Sequence, residues 1–262
     1  MLFGRSRRQC RGGRCPFDAA LLLIHRYATA VAPLGLGRRV FAEFLGSALL
    51  ALVVIGSGIA AQNLSPGNSG LQLLENALAT GAGLMAIILM FGAASGAHLN
   101  PVVSITDAAL GRISWREVSA YAPAQVLGCI AGAIVANVMF SEAAISISTK
   151  HRASGAHFLS EIVATSGLLV LIFALVRSNR RSVIPVAVGA YIAGAYFFTS
   201  STSFANPAIT VGRMFSDTFA GIAPSSVPLF VVAQLVAVPI ALVVIATLYP
   251  AKEVALGSGS RG

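Results

Sequence analysis

Apolar residues in this chain fall in long unbroken runs, without the alternation of a half-buried strand. Six such stretches, roughly 40–61, 72–94, 117–140, 157–176, 183–201 and 227–249, each approach the ~20 residues a helix needs to cross a bilayer. Charge inside them is confined to Glu43, Glu75, Glu117 and Glu161. Two further apolar pieces, about 100–110 and 206–215, are too short to cross; each begins with Asn-Pro after a Gly/Ser/Thr-rich approach. The pattern predicts an all-α membrane protein with six transmembrane helices and two re-entrant half-helices.

Composition supports this class. The chain is 56% hydrophobic and 10% charged, with a mean hydropathy of +0.81. Soluble domains run near a quarter charged, so the bilayer is the solvent implied here. The net charge of +9 does not read as a nucleic-acid footprint, because the cations are not clustered on one face among stacking groups. They flank the apolar runs instead. With the N-terminus inside, eight Arg before residue 40, Arg112, Arg116, Arg177, Arg180, Arg181, Lys252 and Arg261 place 15 of the 18 cations on the cytoplasmic side. Lys150, Arg152 and Arg213 are left outside. Six spans with both termini cytoplasmic, in the cell membrane, satisfy that asymmetry.

Three segments follow: a basic, Gly-containing cytoplasmic tail over 1–39, a channel-sized body over 40–250, and a short C-terminal tail over 251–262. The apolar run from Ala19 to Ile24 is too short to span, and it reads as a surface-lying helix or, with Ala28-Thr29-Ala30, as a weak signal-peptide site. Cys10 and Cys15 have no partner His, and Cys129 lies in an apolar run, so no metal or redox site is read.

The body repeats itself, over about 40–140 and 157–249. Ala42-Glu43-Phe44-Leu45-Gly46-Ser47 parallels Ser160-Glu161-Ile162-Val163-Ala164-Thr165. His98-Leu99-Asn100-Pro101-Val102 parallels Phe204-Ala205-Asn206-Pro207-Ala208, and Ala124-Gln125-Val126-Leu127 parallels Ala233-Gln234-Leu235-Val236. Three spans per copy is odd, so the second copy enters from the opposite side as an inverted repeat. The two Asn-Pro pieces then dip in from opposite faces and meet near the midplane.

At that meeting point the chemistry is specific. Proline suits the first helical position and asparagine the cap before it, its side-chain oxygen accepting a first-turn N–H. Each amide NH₂ remains as a donor backed by the positive end of a helix dipole. A neutral solute carrying an oxygen lone pair is favoured there, and a cation is repelled. No cofactor is needed, and no nucleophile–base pair indicates an enzyme.

Ser95-Gly96-Ala97-His98-Leu99-Asn100-Pro101-Val102-Val103 resembles the first signature of the aquaporin and glycerol-facilitator family, and Phe204-Ala205-Asn206-Pro207-Ala208 the second. The resemblance spans about 38–250. It implies an hourglass fold and a homotetramer with one pore per subunit. It also implies that Glu43 and Glu161 hydrogen-bond the re-entrant backbone, with Gln125 and Gln234 buttressing the motifs and His98 lining the inner half of the pore.

One departure from the family pattern is plain. Where an arginine usually follows the second Asn-Pro-Ala, this chain has Ile209. Counting back from the motifs puts the other ring positions at Thr80, Gly194 and Ser203. Such a ring is small, without cation or aromatic, and admits solutes bulkier than water. Arg213, four residues beyond Ile209, either guards the outer vestibule or pairs with Asp217. The stretches Phe197–Phe204 and Asp217–Pro224 resemble a bacterial subgroup, some of whose members are associated with arsenic detoxification. The reading is passive conduction of small neutral solutes: water, glycerol-like polyols and arsenite-type metalloid acids. Its rivals are an ion-coupled secondary transporter, which also uses inverted repeats, and a non-conducting structural protein.

Overall fold

The computed structural model describes residues 34–250. The readings placed on 1–33 and 251–262, including Cys10, Cys15 and the Ala28-Thr29-Ala30 site, lie outside the described residues. Eight α-helices carry the body: α1 Leu36–Leu64, α2 Ser69–Ser95, α3 Pro101–Ala109, α4 Trp115–Met139, α5 Gly155–Arg177, α6 Ile184–Phe198, α7 Pro207–Gly212 and α8 Val227–Leu248. Six are long and apolar enough to cross a membrane, with the fifth extended by a 3₁₀ turn at Arg181–Val183. The two short ones, α3 and α7, begin at the prolines of the Asn-Pro pairs. The second stops at Gly212 and continues as a 3₁₀ turn over Arg213–Phe215.

The first helix starts at Leu36, ahead of the expected boundary at 40. Arg38 and Arg39 therefore belong to it. The reason lies on α4: Arg39 forms an ion pair with Glu117 and donates to the Tyr121 hydroxyl at 2.9 Å. Glu117 completes a capping box with Ser114 at the start of α4, so it sits at a helix end and not inside the apolar span.

Packing follows the repeat. In the first half α1 lies against α4 and α2; in the second α5 lies against α8; α2 and α6 pack across the two. Small residues permit the closest approach. A Cβ at Gly132 would run into the Ala48 carbonyl of α1, and one at Gly212 would lie 2.7 Å from the Cβ of Cys129. Close backbone contact of this kind is the usual way that membrane helices associate, since lipid supplies no hydrophobic drive between them. It also seats α7 on the buried Cys129 of α4.

Candidate functional site

The two loops leading into α3 and α7 are held by fully buried glutamates. Glu43 on α1 accepts four hydrogen bonds: from the Ser95 hydroxyl (2.6 Å), the His98 amide (3.0 Å), the Leu99 amide (2.6 Å) and the Gln125 side chain (2.8 Å). Glu161 on α5 accepts the corresponding four, from the Ser201 hydroxyl (2.6 Å), the Phe204 amide (2.9 Å), the Ala205 amide (2.8 Å) and the Gln234 side chain (2.7 Å). Four charge-assisted bonds offset the large cost of removing a carboxylate from water. The loops need that hold. Ala97, Leu99, Ser203 and Ala205 take left-handed φ of 48°, 53°, 49° and 47° without being glycine, which costs about 1–3 kcal/mol each.

Gln125 and Gln234, both buried, reach past the glutamates to the half-helices. Gln125 donates to the Ser104 hydroxyl of α3 at 3.2 Å, and Gln234 to the Thr210 hydroxyl of α7 at 3.0 Å. The two-fold symmetry read from the sequence thus extends to individual bonds. Ser95 and Ser201, to which no role attached in the sequence, are part of it.

At the meeting point Asn100 Oδ1 accepts from the Val102 amide (3.1 Å), and Asn206 Oδ1 from the Ala208 (2.9 Å) and Ile209 (3.3 Å) amides. The side-chain NH₂ groups are not wholly directed at the cavity. Asn100 Nδ2 donates to the Ala205 carbonyl and Asn206 Nδ2 to the Leu99 carbonyl, both at 2.8 Å. Each amide spends one N–H locking the opposite loop and keeps one for a solute. Pro101, Val102, Pro207 and Ala208 are buried behind them.

A cavity of about 750 Å³ runs past both asparagines. Its apolar wall is a set of helical stripes at four-residue spacing: Thr80, Leu84 and Ile88 on α2, and Ile184, Val188, Ile192 and Tyr196 on α6. Leu50 and Val54 of α1, with Leu168 and Ile172 of α5, complete it. The α6 stripe corrects one expected ring position. Gly194 lies two residues from both Ile192 and Tyr196, hence on the opposite face; it is exposed, does not line the cavity and has only Phe198 near it. Counting back through a loop of unknown length chose the wrong face of a helix. Thr80, Ser203 and Ile209 do line the cavity, and Tyr196 joins them with its hydroxyl 3.2 Å from Thr80 Oγ1. An aromatic side chain therefore stands beside them on the cavity wall. The Ser203 hydroxyl is buried without a protein partner.

The ends of the cavity differ. At the end beside α3 His98 lines it, with Nδ1 3.0 Å from the Ser104 hydroxyl and Nε2 3.4 Å from Asp107. Asp107 in turn pairs with Arg112. At the end beside α7 stands Arg213, 2% exposed. No ion pair joins it to Asp217, whose carboxylate accepts from the Thr149 amide and hydroxyl. Arg213 instead donates through Nε to the Ala220 carbonyl and lies over the Phe204 ring. The pair with Asp217 does not form, and Arg213 borders the cavity.

Comparison with known proteins matches residues 31–205 to the family model described as "Major intrinsic protein". The chain is 46% identical over 207 residues to aquaglyceroporin AqpS of Rhizobium meliloti (strain 1021), covering 79% of this chain and 88% of that one. It is 31% identical to aquaporin-10 of Milnesium tardigradum over 79% of this chain and 57% of that one. Among solved structures, the aquaglyceroporin from Plasmodium falciparum superposes with a TM-score of 0.64 at 23% identity, over 82% of this chain and 97% of that chain. At that identity the likeness speaks for the fold.

Proposed function

Because this chain belongs to the major intrinsic protein family, we propose that it is a passive, bidirectional channel for water and glycerol-like polyols that also passes arsenous-type neutral acids. The observation that carries this is the mutually locked Asn100/Asn206 pair on the wall of the long cavity. Two fixed N–H donors and two helix N-termini favour uncharged, oxygen-bearing solutes. Above them Thr80, Tyr196, Ser203 and Ile209 form an outer ring with hydroxyls on one side and an isoleucine on the other. Hydroxyls suit the polar edge of a polyol, and the apolar wall suits its carbon backbone. The relative's name, aquaglyceroporin, agrees with that ring.

Coupling to an ion gradient needs an acid free to bind the ion inside the membrane. Glu43 and Glu161 are each committed to four donors, which leaves no such role for them. We further place the chain in the cell membrane as a homotetramer with one pore per subunit and both termini cytoplasmic. The cation distribution supports the orientation, and the many exposed apolar side chains on the outer helix faces suit lipid and neighbouring subunits.

Reconstitution in liposomes tests the reading. After osmotic shock with sucrose, vesicles should shrink faster than empty ones; with glycerol they should shrink and then reswell; arsenite should equilibrate. Conduction of water with complete exclusion of glycerol and arsenite would sink it.

A further inference from the structure

All three cations assigned to the outer side converge on one turn. Lys150 and Arg152 lie on the α4–α5 connection, which runs beside the segment following α7: the Ser148 amide bonds the Met214 carbonyl at 2.8 Å, and the Ala223 amide bonds the Lys150 carbonyl at 2.8 Å. Lys150 Nζ donates to the Phe219 carbonyl at 3.0 Å, and Arg152 to the Phe219 and Gly221 carbonyls at 3.2 and 2.8 Å. Arg213 takes the carbonyl between them, at Ala220. Both guanidinium groups also share the Phe204 ring, with Arg152 at 5.3 Å and Arg213 at 3.5 Å from its centroid.

Their direct partners are carbonyl dipoles and aromatic faces, the Phe204 ring for the two guanidinium groups and the Phe219 ring, 4.9 Å away, for Lys150. None of the three cations has a carboxylate within ion-pair distance among the described residues. Arg213 is 2% exposed, and its two terminal amino groups have no acceptor among those residues. A buried cation such as Arg213 is costly without a counter-charge, while Arg152 is half-buried and Lys150 exposed beside it. Burial, then Arg152 and Arg213, brings Lys150 down to about 8 against the pull of Asp217, and burial brings Arg152 down to about 10 against that of Tyr196 and Glu161. The space between the cations is a cavity of about 290 Å³ lined by Lys150, Arg152, Arg213, Asn76, Thr202 and Ser69 among others. Arg213 lines this cavity and the long one alike.

We propose that this outer cavity binds a small tetrahedral oxyanion of the inorganic phosphate or sulfate type, held by the terminal amino groups of Arg213 with Arg152 and Lys150. Planar guanidinium groups match such oxygens in pairs, and the ammonium supplies a point charge. Since Arg213 borders the conducting cavity, a bound oxyanion stands at its outer mouth and slows the passage of neutral solutes.

Calorimetry on the purified full chain in detergent tests this, titrating sodium sulfate against sodium chloride at equal ionic strength. Sulfate should bind saturably and raise the melting temperature by mass action, while chloride should do neither. Lys150→Met should weaken sulfate binding by about tenfold, the loss of one charge-assisted contact. Its own melting curve without sulfate reports whether the variant folds. In liposomes, sulfate should slow glycerol reswelling of the wild type in proportion to that binding. Absence of sulfate heat at millimolar concentration, an equal effect of chloride, or a folded Lys150→Met variant that binds like wild type would each overturn the proposal. Binding is measured on the resting protein, so a negative result leaves the channel reading standing.

Discussion

The two mouths of the cavity, at the α3 and α7 ends, are built on one scaffold and handle charge differently. Two residues before the asparagine the chain has His98 in the first half and Phe204 in the second; seven residues after it, Asp107 and Arg213. Between those positions the halves match bond for bond: glutamate to serine hydroxyl and two amides, glutamine behind, asparagine across to the opposite loop. Symmetry is kept where the two half-helices must meet, because a mismatch there would leave polar backbone unpaired in a membrane. It is dropped where each half faces its own compartment. The α3 mouth balances its own charge through His98, Asp107 and Arg112, while at the α7 mouth Lys150, Arg152 and Arg213 gather with no ion pair among the described residues.

The largest expected effect tests the symmetric part. Glu43→Gln and Glu161→Gln each replace an ionised acceptor by an amide whose NH₂ faces other donors. Each should lower unfolding free energy by about 3 kcal/mol, the order for breaking a buried charged network. Thermal melts of the purified variants should give nearly equal losses. A large loss for one and none for the other would break the two-fold account.

Ile209→Arg sharpens the contrast at the outer ring. A guanidinium placed beside Tyr196, Ser203 and Arg213 narrows the passage. Glycerol flux should fall by at least about tenfold, a barrier increase of ~1.4 kcal/mol, with water flux less affected. Undiminished glycerol flux would mean that Ile209 does not face the solute.

Asp107→Asn probes the α3 mouth. It removes the charge that Arg112 and His98 share, and stability should fall by about 1 kcal/mol, as for loss of one partly exposed ion pair. The corresponding change at the α7 mouth, Arg213→Met, removes like-charge repulsion and should cost less than a buried cation's removal ordinarily does. A melt in which Asp107→Asn is neutral would deny that the inner charges compensate one another.

The smallest effect is at Gly194. On the exposed face of α6, Gly194→Ala should leave glycerol flux unchanged and raise stability by roughly 0.5–1 kcal/mol through helix propensity. A fall in flux would return this position to the ring.

How much of this was legible in the sequence depended on what fixed each residue. The spans, half-helices and repeat were readable because the bilayer demands long apolar runs and the Asn-Pro caps have a local mechanism. Glu43, Glu161, Gln125 and Gln234 stood out as polar groups in apolar helices, and the structure binds each to a re-entrant loop. Ser95 and Ser201 did not, since a serine near a loop carries no distinguishing signal. Tyr196 was displaced by counting to Gly194, because the facing residue depends on the helical register of α6 and not on its distance from Asn206. The gathering of Lys150 and Arg152 with Arg213 was invisible, because about sixty residues separate the two segments and only the fold brings their loops together.

Passive conduction of neutral solutes is tested most directly by glycerol flux in proteoliposomes with proton and sodium gradients collapsed by ionophores. Glycerol should equilibrate as fast as with the gradients intact, and faster than in empty vesicles. Flux that disappears when either gradient is removed would contradict a channel.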